Sequence, residues 1–343
     1  MSDEGRASTA PRAILFGCAG EGLTAEERAL FTDSNPLGFV LFRRNCREPG
    51  QIRELVAEMR DCVGRGDAPV LIDQEGGRVA RLQPPHWRTY PAAARLAALP
   101  DPNAEEAVRL GARLMADDLA AVDVTVDAAP VLDLPVDGAD AVIGDRAYGS
   151  DPARVARLGR AMCEGLLAGG VLPIVKHIPG HGRARVDSHK DCPVVDADAG
   201  ELSATDFESF RQLAAMPWAM TAHVVYSEFD SAPATLSRRV IDEVIRGRIG
   251  FEGVLVSDDI GMGALAGRLA ARVESALHAG CDLVLHCSGI VREMEEASGT
   301  AWPVSEKTVA RLTRGEAMRL ASRRDFDRAA AEARFDQLIK AGV

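Results

Sequence analysis

The stretch LPIVKHIPGHGRARVDSH, residues 172–189, joins a short apolar run to a polar loop that is rich in ionisable side chains. Residues 172–176 have the apolar, partly β-branched character of a buried strand. The loop contains three of the seven histidines of the chain, with two glycines and an aspartate. A polar, glycine-containing loop at the carboxyl end of a strand is where α/β proteins carry catalytic and binding residues.

The composition is that of an ordinary globular protein, with 343 residues, 47% hydrophobic and 27% charged. A net charge of −11, with both signs mixed along the chain, argues against nucleic acid and anionic membranes as partners. The polar N-terminus and the absence of a long apolar run predict neither a secretory signal nor a membrane span. Seven scattered cysteines without a CxxC motif indicate reduced thiols in a cytoplasmic protein, which we expect to be a monomer.

Short apolar runs alternate with helical patterns along most of the chain. Strands are predicted at residues 13–18, 38–42, 70–73, 122–127, 172–176, 219–223, 253–257 and 282–286. Helices are predicted at residues 24–31, 50–63, 104–121, 152–168, 237–248, 262–279, 306–322 and 325–340. Strands that are apolar on both faces and alternate with helices are typical of parallel sheets.

Eight such strands favour a single (β/α)8 TIM-type barrel of the α/β class, with extra C-terminal helices. The alternative is an open doubly wound sheet, but no GxGxxG motif follows the first strand. We find no linker or repeat and predict one catalytic domain over residues 1–343. Residues 1–11 are expected to be flexible, and the helices within residues 300–343 are expected to pack on the barrel.

Ionisable side chains stand where six of the predicted strands end. They are Asp73, Asp127, Lys176, His177, His223, Asp258 and His286. A barrel gathers all of these strand ends on one face, which is the face that carries the active sites of barrel enzymes. The pattern therefore favours an enzyme over a purely structural protein.

Two aspartate motifs carry candidate chemistry. Asp187 lies two residues before His189, and such a carboxylate can fix the tautomer of an imidazole and raise its pKa, which suits a proton donor. The rival interpretation is a turn in which Asp187 bonds its own backbone. Asp258 and Asp259 follow an apolar strand, and because side chains alternate, at most one is expected to face the barrel mouth as a nucleophile or a metal ligand. The other is expected to cap the following loop.

The HxxxH spacing of His177 and His181 raises the alternative of a zinc site, completed by His189 and Asp258. Helical zinc motifs need an unbroken turn, however, and Pro179 and Gly180 interrupt it here. We therefore expect no metal and no other cofactor.

Several motifs together resemble those of glycoside hydrolase family 3. They are KHIPGHGRARVDSH (176–189), DQEGGRVARL (73–82), IGDRAYGSD (143–151), TAHVVYSEFDSAPATLS (221–237) and GFEGVLVSDDIGM (250–262). They occur in the family's order, from about Ala13 to about Ser288. More narrowly, the chain resembles the cytoplasmic β-N-acetylglucosaminidases of peptidoglycan recycling, which the histidine-containing loop separates from the family's β-glucosidases. The last fifty or so residues match no motif.

The resemblance implies a retaining, metal-free hydrolysis of β-1,4-linked N-acetylglucosaminyl anhydro-muropeptides. It assigns the nucleophile to Asp258 and the proton donor to His189, with Asp187 orienting and tuning that histidine. It also assigns binding of the N-acetylglucosamine unit to Asp73, Arg81, Arg146, Lys176 and His177. His181 and His223 are further candidates.

Four rival functions stay open at the level of sequence. An imidazole would not repel phosphate as a carboxylate would, so an N-acetylglucosaminide phosphorylase of the same family is one alternative. A metal-dependent barrel hydrolase is the second, a non-catalytic sugar-binding barrel is the third, and a family β-glucosidase is the fourth.

Overall fold

Eight parallel strands close into a barrel in the computed structural model, which describes residues 10–340. Each strand pairs with its neighbours along the chain, and the last strand pairs with the first. The strands, here called β1 to β8, are Arg12–Phe16, Pro36–Leu41, Val70–Ile72, Val126–Asp127, Leu172–Ile178, Trp218–Thr221, Val254–Asp259 and Leu283–His286. The predicted (β/α)8 barrel is confirmed, and all eight predicted strands overlap observed ones. Of the segment expected to be flexible, residues 1–9 lie outside the described residues.

Helices surround the barrel. In chain order they are α1 Ala25–Ser34, α2 Pro49–Val63, α3 Ala93–Ala97, α4 Asn103–Ala120, α5 Pro152–Ala168, α6 Ala199–Ala204, α7 Asp206–Arg211, α8 Leu269–Ala279, α9 Val291–Thr300, α10 Glu306–Ser322 and α11 Arg328–Lys340. A π-helix covers Val240–Arg248, and single 3₁₀ turns cover Arg43–Asn45, Gly144–Arg146 and Ala234–Leu236. Two small two-stranded pairs, Gln74–Gly76 with Val79–Ala80 and Val194–Val195 with Val225–Tyr226, lie outside the barrel.

Local sequence signals explain where several helices begin. Thr24 and Glu27 form a capping box, in which the Thr24 hydroxyl accepts from Glu27 N at 3.1 Å and the Glu27 carboxylate accepts from Thr24 N at 2.8 Å. The Asp151 carboxylate accepts from Ala153 N and Arg154 N at the start of α5. The predicted bounds 152–168 of α5 agree with the structure.

One predicted helix begins later than expected. The prediction of 262–279 was wrong for its first seven residues, because turns follow β7 and the helix starts only at Leu269. Glycines at 263 and 267 weaken the helical pattern. The Asp259 carboxylate also accepts from Gly261 N at 3.0 Å, which fixes a turn instead. The sequence analysis missed α3, α6, α7 and α9.

The barrel strands are the centre of the hydrophobic core. All residues of β2, β5, β6 and β8 are buried, as their continuous apolar runs predict. One cluster of buried apolar side chains reaches from Ala13 to Leu338, so the last helix contributes to it. The terminal helices also form ion pairs with earlier elements: Arg311 of α10 donates to Asp282 at 2.8 Å. None of the helices within residues 10–340 has the length and apolar character needed to cross a membrane.

Candidate active site

A cavity of about 360 Å³ opens at the carboxyl ends of the barrel strands. Eight of the ten residues predicted for the site line this cavity: Asp73, Arg81, Arg146, Lys176, His177, His181, His189 and Asp258. The wall is completed mainly by Glu75, Arg78, Ser188 and Asp259, and by the apolar side chains of Phe42, Val79, Val142, Ile143, Met220, Met262, Leu285 and Cys287. The polar groups converge in a partly apolar pocket, which is the usual construction of a small-molecule site.

Lys176 is the centre of an ion-pair network on one wall. Its side chain is only 2% exposed, and Nζ lies 2.9 Å from Asp73 Oδ1 and 2.6 Å from Glu75 Oε1. Arg81 donates to Asp73 at 2.9 Å, and Arg146 makes a bidentate contact with Glu75 at 2.8 and 2.9 Å. Burial alone would raise the pKa of Asp73, but Lys176 and Arg81 hold it well below its usual range. Both carboxylates are therefore anionic acceptors whose positions are fixed before a ligand binds.

Replacing Lys176 by methionine should destabilise the protein by about 3–5 kcal/mol at neutral pH, because the partly buried carboxylates of Asp73 and Glu75 lose a shared, buried cation. The pKa values of Asp73 and Glu75 are lowered in the folded protein, so their contribution to stability is present above the unfolded pKa values of about 4 and is lost as pH falls. The deficit of Lys176→Met should therefore shrink below about pH 4. Urea unfolding of both proteins at neutral pH and below pH 4 measures the difference in the free energy of unfolding. An equal difference at both pH values would contradict the assigned charges.

Asp133 fixes His177 and the start of the long loop after β5. The carboxylate is fully buried, and its Oδ2 lies 2.7 Å from His177 Nδ1. Its Oδ1 accepts from His181 N at 2.7 Å. The ring of His177 is thereby oriented with Nδ1 towards the protein interior. Neither Asp133 nor Glu75 was among the site residues predicted from the sequence.

Asp258 and Asp259 both line the cavity, which corrects the expectation that at most one would do so. The strict alternation of the strand is lost here, because the pairing of β7 with β8 shifts between Val256 and Asp259. Asp259 nevertheless has the expected capping role, since its Oδ1 accepts from Gly261 N at 3.0 Å and from Cys287 N at 3.2 Å.

Asp258 carries its negative charge in a protected position. Burial alone would raise its pKa, but the neighbouring rings of His223 and His177, the N–H of Asp259 and the ammonium group of Lys176 together lower it. The Asp259 N–H donates to Asp258 Oδ1 at 2.8 Å. A partly buried carboxylate that stays ionised at the mouth of a barrel is chemically suited to attack an electrophilic carbon.

Asp187 and His189 form a hydrogen-bonded pair at the rim. Asp187 Oδ1 lies 2.7 Å from His189 Nδ1 and accepts from His189 N at 2.9 Å. Burial tends to raise the pKa of Asp187, but these two donors lower it. The His189 side chain is 64% exposed and lines the cavity, whereas Asp187 stands behind it. The contacts expected by the two rival interpretations are both present, because Asp187 bonds its local backbone and the His189 ring at once, and the catalytic role stays a prediction.

Three of the strand-end residues do not reach the cavity wall. His223 is fully buried behind it, bonded to Thr235 Oγ1 at 2.7 Å and to Asp259 O at 3.0 Å. Asp127 accepts from Gln74 N at 2.9 Å, and His286 bonds Ser288 at 2.9 Å. The strand-end pattern thus located the correct face of the barrel but not which side chains line the cavity.

Two of the three histidines considered as zinc ligands, His177 and His181, have other partners. His177 uses Nδ1 for Asp133, and His181 Nε2 lies 2.9 Å from Ser188 Oγ. In the described part of the chain, no three His, Cys, Asp or Glu side chains are arranged to hold a metal ion.

Comparison with known proteins identifies the family. The family model described as glycosyl hydrolase family 3 N terminal domain matches residues 18–310. The chain belongs to glycoside hydrolase family 3. It is 40% identical over 278 residues to a beta-hexosaminidase of Pseudomonas aeruginosa, covering 80% of this chain and 82% of the relative. It is 38% identical over 312 residues to a beta-hexosaminidase of Alkalilimnicola ehrlichii, covering 87% of this chain and 88% of the relative. The family 3 resemblance read from the motifs is therefore confirmed, and the protein is a glycoside hydrolase.

A solved family 3 structure extends the match to the whole fold. The crystal structure of NagZ from Neisseria gonorrhoeae in complex with N-trifluoroacetyl-D-glucosamine superposes with a TM-score of 0.84 and 33% sequence identity. The match covers 96% of this chain and 98% of that one. The match thus extends over nearly the whole chain, further than the residues 18–310 matched by the family model.

Proposed function

We propose that this protein is a retaining β-N-acetylglucosaminidase that removes terminal N-acetylglucosamine from β-1,4-linked anhydro-muropeptides during peptidoglycan recycling. The observation that carries the proposal is that an ionised Asp258 and His189, which is bonded to Asp187, line the same cavity. The relatives named beta-hexosaminidase and the N-trifluoroacetyl-D-glucosamine complex of the Neisseria protein support the sugar class. Seven free thiols support a reducing, cytoplasmic location.

In the first step of the proposed mechanism, Asp258 attacks the anomeric carbon while His189 gives its proton to the departing glycosidic oxygen. The products of this step are a covalent glycosyl–aspartate ester and the free leaving alcohol. In the second step, His189 removes a proton from water, which attacks the anomeric carbon and releases Asp258 as a carboxylate. The proton balance closes, because His189 recovers in the second step the proton it gave in the first.

The cavity wall that carries the ion-pair network of Lys176, here called the ion-pair wall, is proposed to hold the sugar. Asp73 has acceptor oxygens, and Arg81, Arg146 and Lys176 have donor N–H groups, all fixed by mutual contacts before binding. His177, oriented by Asp133, contributes from the end of β5. Because these groups are already ordered, less conformational entropy is lost when a polar ligand binds.

A panel of chromogenic substrates tests the function. We expect rapid release from an aryl N-acetyl-β-glucosaminide and much slower release from the matching β-glucoside, which would separate the proposal from a family β-glucosidase. Turnover should persist after dialysis against a strong chelator, and a chelator-sensitive, zinc-restored activity would favour the metal-dependent alternative. Binding of the sugar without turnover would favour a non-catalytic sugar-binding protein.

Phosphorolysis is the second candidate, favoured by the use of an imidazole where a second carboxylate would repel phosphate. The released sugar distinguishes the two reactions, because hydrolysis gives free N-acetylglucosamine and phosphorolysis gives its 1-phosphate. We expect the free sugar with or without inorganic phosphate. A phosphate-dependent rate with the 1-phosphate as product would reassign the acceptor but keep Asp258 and His189 in place.

Asp187→Asn tests whether Asp187 acts through His189. The amide keeps an oxygen acceptor but removes the negative charge that stabilises protonated His189, so we expect a loss of about tenfold to a hundredfold, smaller than that of His189→Ala. The alkaline limb of the kcat/KM profile should shift to lower pH, because the loss of the carboxylate favours the neutral ring. An unshifted limb would show that Asp187 serves only the loop backbone.

A further inference from the structure

The long loop between β5 and Val194–Val195 carries the proposed proton donor, and it is attached to the barrel at a few identifiable points. The innermost is Asp133, which is fully buried and bonds both the His177 ring and the backbone N–H of His181. The Asp133 carboxylate therefore fixes two residues together: His177, which is proposed to bind the sugar, and His181, near the start of this loop.

Ser188 continues this chain of contacts to the far end of the loop. It is only 3% exposed, although it stands between Asp187 and the exposed His189. Its Oγ lies 2.9 Å from His181 Nε2. Burial, with the neighbouring His177, lowers the pKa of His181 to about 4, so that the ring is neutral at neutral pH. The contact is thus a neutral hydrogen bond inside the cavity wall, and it needs the Ser188 hydroxyl.

The loop backbone is also bonded to the segment that follows the proposed nucleophile. Ala264 N donates to Ser188 O at 3.1 Å, and Gly263 N donates to His189 O at 3.3 Å. The approach leaves no space for a side chain at Gly263, where a Cβ would lie 2.8 Å from His189 O and 3.0 Å from Lys190 O. These bonds connect the loop of His189 to the turn that begins after Asp258 and Asp259.

We propose that Ser188 is a positioning residue for proton transfer: its side chain, bonded to His181, and its backbone, bonded to the 263–264 segment, hold the exposed His189 over the cavity that contains Asp258. The inference rests on the proposed function, because it assumes that His189 is the proton donor. The ring of His189 has few constraints of its own, since it is mostly exposed and its partner Asp187 belongs to the same loop. The position of its proton therefore depends on where Ser188 is docked.

Leaving-group dependence gives a readout that a purely structural role would not change. A phenyl leaving group needs protonation as it departs, whereas a dinitrophenyl leaving group departs as a stable anion and needs little. If Ser188 positions His189, Ser188→Ala should lower kcat/KM on the order of tenfold to a hundredfold for phenyl N-acetyl-β-glucosaminide, and only a few-fold for the dinitrophenyl analogue. A loss of kcat/KM caused by general damage to the fold or to the sugar-binding residues would affect both substrates equally.

Gly263→Ala provides an independent test of the same docking, since the added methyl group displaces the His189 carbonyl without touching the Ser188 hydroxyl. The same selective loss is expected. If Ser188→Ala does not fold, Gly263→Ala alone tests whether the attachment of this loop positions His189. The exposed Ser231 offers a matched serine-to-alanine control, and Ser231→Ala should leave both substrates unchanged.

His189→Ala, measured in parallel, separates the failure of this inference from that of the proposed function. If His189→Ala shows the selective loss and the docking variants do not, or if they lose both substrates equally, the role of Ser188 is overturned and His189 stays the proton donor. If His189→Ala itself shows no selective loss, the proposed acid role fails, and the inference fails with it.

Discussion

Replacing Asp258 by asparagine is expected to lower kcat about 10⁴-fold, with the fold preserved. The amide has nearly the same shape but lacks the negative charge and the nucleophilicity that the proposed first step requires. Asp258 is partly buried and its lowered pKa keeps it ionised in the resting protein, so its replacement takes away the group that would form the covalent bond. Steady-state kinetics with an activated aryl N-acetyl-β-glucosaminide measures the effect, and turnover close to that of the native protein would exclude Asp258 as the nucleophile.

Asp259→Asn is the matched control, because it makes the same chemical change one residue away on the same cavity wall. Asp259 Oδ1 already accepts from Gly261 N and Cys287 N, and an asparagine oxygen can keep accepting from both. We expect its loss of kcat to be about tenfold or less, in line with a capping group rather than a reacting one. Equal losses for the two variants would mean that the charge of the pair, rather than one nucleophile, matters.

Replacing His189 by alanine is expected to give the second-largest effect, a loss of about 10²- to 10⁴-fold in kcat/KM for a substrate with a poor leaving group. The variant removes the only proposed proton donor, while the Asp258 site and the ion-pair wall stay intact. Circular dichroism is expected to be unchanged, because the side chain is 64% exposed.

The pH profile of kcat/KM gives the same assignment a second test. If His189 is the proton donor, any alkaline limb of the native profile that belongs to this donor should flatten in His189→Ala. The acid limb should extend below the usual carboxylate range, because the pKa of Asp258 is lowered and the nucleophile keeps its charge as pH falls. An alkaline limb that persists in His189→Ala would belong to another group.

The barrel itself was predictable from sequence, for a simple physical reason. Strands such as β5 and β6 are buried on both faces, so they appear as continuous apolar runs between helical patterns. The turns after β7 were not predictable, because the apolar spacing of residues 262–268 resembles a helix start. It is the Asp259 cap and the docking of the β5 loop on Gly263 that hold this segment in turns.

Much of the candidate site followed from the strand ends and the family motifs, but its supporting residues did not. Asp133 stands in an apolar run, and its partner His177 is 44 positions away, so nothing local in sequence links them. Glu75 has the character of a surface ion-pair residue until Lys176 of β5 and Arg146 of a 3₁₀ turn converge on it. His223 lies two residues beyond the end of β6 and turns away from the cavity to bond Thr235. Contacts between segments that are distant in sequence, which the closed barrel brings together, decide these cases.

The central claim is that the sugar is bonded for a time to Asp258. It is tested most directly by trapping the protein with a slow fluorinated N-acetylglucosamine-type substrate and mapping the adduct by peptide mass spectrometry. We predict one added sugar per chain, located on Asp258 and absent from Asp258→Asn. An adduct on any other residue, or continued turnover of this substrate by Asp258→Asn, would contradict the account.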